Sequence, residues 1–165
     1  MMNFNIQDLY NRSTEALIYA MKQYVNFIGI NSSIKSLDIQ FHYVDSLPHN
    51  MIAKYELLDK QSKRQNLLMQ KESVKQDIIL HSYKSIILAL ALVDTSIAMR
   101  NDFGLGMSTT LIQSILKFIQ ESRHNISIPK DALIPQIMNT SAKLANSDFN
   151  SNINLTLCLN QLISL

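Results

Sequence analysis

The chain has 165 residues, one domain's worth, and a formal net charge of +2. Its 47% hydrophobic content excludes a disordered chain, and three Gly and three Pro exclude collagen-like and low-complexity classes. One Cys excludes an internal disulfide framework, and the charge is too small to imply nucleic acid, a membrane surface or an acidic substrate.

Charged residues make up only 17% of the chain, against about 25% in an average soluble domain. Neutral polar groups must therefore cover much of the surface, and such a surface repels other molecules weakly. The N-terminus lacks a basic stretch followed by an apolar one, so no signal peptide is expected and the chain reads as cytoplasmic. The longest uninterrupted apolar run, Ile86 to Val93, is too short to span a bilayer, which needs about 20 residues.

In chain order, the spacing of Ile6, Tyr10, Leu17, Met21, Tyr24 and Ile28 predicts a helix over 5–28. Gly29 is a natural residue to end it. Residues 37–43 then change period. Leu37, Ile39, Phe41 and Tyr43 alternate with polar residues, which reads either as a half-buried strand or as an extended crossover. A strand needs a ladder partner. The segments 125–129 and 153–159 are the candidates, and the second also fits a helix.

Ser46 and Pro48 suit a helix start. No Gly or Pro follows until Gly104, yet one helix of about 50 residues would be about 75 Å long. Either the helix breaks or 59–77 projects as a helical arm, and a break or hairpin near 59–66, where no apolar residue holds the chain down, is the favoured expectation. The segment 78–99 is strongly apolar and reads as a central helix covered on all sides. A turn is expected at 101–106, then helices over 108–123 and from about Pro135 to Ala145, and a short final element, strand or helix, over about 151–164. The predicted fold is mainly α: a single domain, 1–165, with a compact bundle of four to six helices.

The chemistry-bearing motifs are sparse. Asp102-Phe103-Gly104 spells a kinase magnesium tripeptide without any companion motif, so it reads as a turn. There is no phosphate-binding loop, the four histidines have no metal spacing, and Cys158 lies among leucines as a core residue does. No cofactor and no metal are expected. Asp94, which follows the apolar run, is the one carboxylate that a pocket could turn into a functional acid.

Two surfaces suit a partner. All six tyrosines lie in the first half, and Tyr19, Tyr24 and Tyr55, with the adaptable Met21, form the candidate partner-binding set. Lys60, Arg64, Lys71 and Lys75 would share one stripe of a continuous helix, a candidate basic face that acidic residues interrupt. The expected function is a non-enzymatic module that binds a protein partner, or itself, through helical faces. Secretion-system components, chaperones and toxin-immunity proteins are of this kind. A nucleic-acid-binding helical protein and an enzyme with a site near Asp94 are the alternatives.

Overall fold

The structure is a computed structural model that describes residues 2–44 and 51–165, with side chains at 5–42 and 54–165. Five helices and no strand occur among the described residues: α1 (Met2–Val44), α2 (Met51–Ala98), α3 (Asp102–Ser122), α4 (Ile134–Ala145) and α5 (Ile153–Ser164). The mainly helical bundle expected from the sequence is what forms. Ser46 and Pro48 lie outside the described residues. The chain divides into two compact units, Met1–Met21 with Ile79–Leu165, and Lys22–Ile78.

The first unit holds the larger core. Ile6, Ala16 and Leu17 of α1, Ile86, Leu90, Leu92 and Val93 of α2, Ile112 and Ile115 of α3, and Leu155 and Leu159 of α5 are all buried. Small polar residues bring its helices close. Ser13 Oγ donates to the Ser85 carbonyl at 2.7 Å and Ser85 Oγ donates to the Ser13 carbonyl at 2.9 Å, so α1 and α2 are tied by two reciprocal bonds. Each hydroxyl keeps a partner in a place where an unpaired one would cost about 1–3 kcal/mol.

Three helix boundaries differ from the expected ones. α1 passes through Gly29, whose φ is negative and whose missing Cβ would meet nothing within 4 Å. It also absorbs 37–43. Leu37 and Phe41, four residues apart, are half-buried, whereas Ile39 between them is 72% exposed. A strand would place all three on one face, but a helix separates Ile39 from the other two by about half a turn. With no strand among the described residues, the segment also has no ladder partner. The 125–129 segment is irregular, and 153–159 lies in α5, capped by Asn152, whose side chain accepts from Leu155 N at 3.1 Å.

α2 does not break near 59–66. Lys60, Gln61, Lys63, Arg64 and Gln65 are good helix formers, and Asp59 and Lys63 pair across one turn at 3.1 Å. α3 begins six residues earlier than Ser108, because the Asn101 side chain caps it by accepting from Gly104 N at 2.9 Å. Gly104 belongs inside this helix because a Cβ there would stand 3.0 Å from Ser96 Cβ and 3.3 Å from Ile6 Cδ1. Within 78–99, Leu80 (61%) and Ile87 (43%) reach solvent, so that stretch is not covered on every side. α2 contains one window of mean hydropathy 1.5, long and apolar enough to cross a membrane by length and composition, and half of it is buried. A spanning helix and the core helix of a soluble domain both meet that criterion.

The second unit is an antiparallel hairpin of α1 and α2. Its α1 seam runs through Phe27, Ile30, Ile34, Leu37 and Phe41, and its α2 seam through Leu57, Lys60, Arg64, Leu67, Lys71, Val74 and Ile78. All of these are buried or half-buried, and both series follow the alternating three- and four-residue spacing of a coiled coil. The pairing is fixed by Lys71 Nζ, 5.5 Å from the centre of the Phe27 ring, and by Arg64 Nε, 2.7 Å from Asp38 Oδ1.

Candidate interaction surface and the Asp94 cleft

The four residues of the expected basic face do not form an exposed stripe. Lys60, Arg64, Lys71 and Lys75 are all half-buried, and the first three are seam residues. Their aliphatic stems fill seam positions while the charged ends reach out to water, to Asp38 or to the Phe27 ring. These stems also supply the apolar surface that the 59–66 segment lacks in its one-letter reading.

The tyrosine and methionine set is dispersed. Tyr19 and Met21 belong to the first unit, where Tyr19 is 40% exposed with its ring 4.1 Å from that of His81. Tyr24 is half-buried and stacks on Phe27 at 6.5 Å. Met21 and Tyr55 are exposed. The set is thus divided, Tyr19 and Met21 in the first unit and Tyr24 and Tyr55 in the second.

A more ordered surface lies along the hairpin. Ile34 and Arg64 occupy matching seam positions. The residue before each, and those two and three after each, line a groove of about 460 Å³ on one flank: Ser33, Ser36 and Leu37 against Lys63, Asn66 and Leu67. By helix geometry, residues one after and two before the seam positions then face the opposite flank. On α1 this second flank carries Val25, Ile28 and Ile39, and on α2 it carries Tyr55, Leu58 and Met69. These six are all the exposed large apolar residues of the second unit among the described ones. Of the twelve residues immediately before the seam positions, on the groove flank, eleven are polar, Asn26, Ser33, Gln40, Glu56, Lys63 and Gln70 among them, and the other is Gly29. The hairpin thus has one polar flank and one apolar flank. Neither a run of apolar residues nor a dense heptad reveals this in the sequence, because three of the seven α2 seam residues are cationic.

Asp94 lies in a cleft of the first unit of about 680 Å³, lined by α2, α4 and the 146–149 turn. Its Oδ2 accepts from Lys143 Nζ at 3.2 Å, while its Oδ1 is buried with no hydrogen-bond partner. Arg100 stands at the rim with φ 52°, the one non-Gly residue among those described with positive φ. Its N–H donates to the Ile97 carbonyl at 3.1 Å and that of Asn101 donates to the Ser96 carbonyl at 2.9 Å. This pattern of paired bonds closes a helix, usually on a glycine. Asn139, Asn146 and Ser147 add neutral polar groups to the cleft.

The remaining reactive groups are enclosed. Cys158 is buried, which pushes its thiol above the usual range, and a hydrogen bond from Gln113 offsets this only in part. Burial, with Asp131 nearby, likewise raises the Tyr83 phenol. No cluster of three or more His, Cys, Asp or Glu that could hold a metal occurs among the described residues. The chain matches no protein-family model, and no curated protein sequence and no solved structure matches it.

Proposed function

We propose that this chain is a non-enzymatic interaction module that binds a protein partner through the apolar flank of its hairpin. The observation that carries the reading is the segregation just described. Val25 and Ile39 are each 72% exposed, and Tyr55, Leu58 and Met69 between 55% and 67%, all on one flank. Single exposed apolar residues are ordinary, but a one-sided series of them marks a binding face. Nucleic acid is the weaker reading, because the basic residues that would follow a phosphate backbone are half-buried, three of the four in the seam.

The test is site-specific photo-crosslinking in the native host. A photoreactive residue replacing Met69 should capture one protein of defined mass, and the same residue replacing Ser33 on the polar flank should not. Capture at Ser33 alone, or crosslinks only to nucleic acid, would remove the proposal.

A second reading, a ligand or catalytic site, draws on the Asp94 cleft, whose volume lies within the ordinary range for small-molecule sites. A panel of small polar metabolites should then raise the melting temperature of the wild type but not of Asp94→Asn. Equal shifts in both, or none in either, would remove it.

A further inference from the structure

We infer that the occupant of the apolar flank is an amphipathic helix with acidic residues beside its apolar stripe. This inference rests on the interaction reading above and adds the chemistry of the partner.

Charge decides the class. Lys35 lies on the apolar flank itself, and Lys54 and Lys75 lie on its seam edge. None of the three makes an ion pair among the described residues. Asp38, on the same edge, is already held by Arg64. Among the described residues, Glu72 is then the only carboxylate left on this flank, and it accepts from Gln76 Nε2 at 3.1 Å. The apolar side chains are therefore fringed by surplus positive charge. A partner with leucine-like residues at helical spacing fills the space between α1 and α2, and its glutamates or aspartates meet the three lysines.

A second copy of the chain fits less well. Two-fold pairing presents the same flank to itself, so these cations would meet one another with, among the described residues, one free carboxylate per chain to offset them. A membrane surface also fits less well, because Asn31, Ser32, Ser62, Gln65 and Gln76 interrupt the apolar residues. Those side chains can hydrogen-bond across a helix interface but find no partner in acyl chains.

The experiment uses the full chain and two designed helical peptides of about 21 residues, with the same leucines at seam positions. One carries glutamate beside the stripe and the other lysine. Fluorescence anisotropy should show the glutamate peptide binding about tenfold tighter or better, with the preference shrinking as salt rises from roughly 50 to 500 mM. The double variant Val25→Asp, Met69→Glu should lose about tenfold or more of that affinity with its helical circular dichroism unchanged. Ser33→Asp on the polar flank should bind as wild type.

Equal binding of both peptides, or a preference for lysine, would overturn the acidic partner. So would sedimentation as a dimer that the double variant abolishes, or binding to phosphatidylserine vesicles in place of the peptides. If the peptides fail while Met69 still crosslinks to a protein, the partner's chemistry is wrong and the interaction reading stands. If the crosslink fails as well, both fall.

Discussion

Gly29, Gly104 and Arg100 show how differently one backbone position can be constrained. Gly29 is an exposed residue in the middle of α1 with open space where a Cβ would go. Glycine there costs helix stability through backbone entropy, so Gly29→Ala should stabilise the fold by about 0.5–1 kcal/mol. Gly104 has the opposite environment, with Ser96 and Ile6 against it. A methyl group must push α2 and α3 apart, so Gly104→Ala should destabilise by about 1–3 kcal/mol. Urea titration of both variants checks the pair, and a stabilised Gly104→Ala would mean that these helices pack less closely than described.

Arg100 holds a left-handed conformation that costs a non-glycine residue about 1–2 kcal/mol. Its ion pair with Asp148 is 3.9 Å long with both side chains about 80% exposed, so it contributes almost nothing to offset that cost. Arg100→Gly should therefore raise stability by about 1 kcal/mol. An unchanged or lowered midpoint would show that the arginine side chain contributes more to the turn than its contacts indicate. Strain of this kind concentrates at functional sites, which gives the rim of the Asp94 cleft an interest of its own.

At the scale of the element, the α2 seam is unusual. Lys60, Arg64 and Lys71 stand where a coiled coil normally places leucine or isoleucine. Their stems pack, but each gives less apolar burial than leucine and keeps a charged end near the seam. Polar seam residues lower stability and fix register and the number of strands. Lys60→Leu with Lys71→Leu should thus raise the melting temperature and, by making the seam uniformly apolar, drive the chain to self-associate. Calorimetry and sedimentation velocity together check this. A variant that sediments as the wild type does and melts no higher would show that the lysine stems already pack as leucines would.

The same seam explains what was legible in the sequence. Several elements formed where expected: α4 begins beside Pro135, α5 covers the expected final element, and the apolar stretch of α2 carries much of the core although Leu80 and Ile87 reach solvent. The hairpin was harder to see because a helix seam built from Lys and Arg looks polar in a residue-by-residue reading, and so suggested a break. Leu37, Ile39 and Phe41 misled for a related reason. Two belong to the seam and one to the apolar flank, and their superposition imitates period two. Tyr55 stands out in the sequence as a candidate partner-binding residue, but the other exposed apolar residues of its flank, Val25, Ile39 and Leu58 among them, carry no signal until the flanks are assigned.

For the molecule as a whole, the unequal cores make a dynamic prediction. Among the described residues, Phe27, Ile30, Ile34 and Ile78 are the buried apolar side chains of the second unit, while the first unit buries most of the core. Apolar burial stabilises by about 25 cal/mol per Å², and local opening is easiest where burial is least. Native-state hydrogen exchange should therefore find the amides of 55–70 and 25–40 opening first. Those of α3, α5 and 85–96 should exchange only near the free energy of global unfolding. The glutamate peptide should slow exchange in 25–40 and 55–70 and leave α3 and α5 unchanged, since a ligand stabilises the segment it covers. Uniform protection across both units would mean that the cationic seam holds the hairpin as firmly as the apolar core holds the rest, and the apolar flank would then not need a partner for its stability.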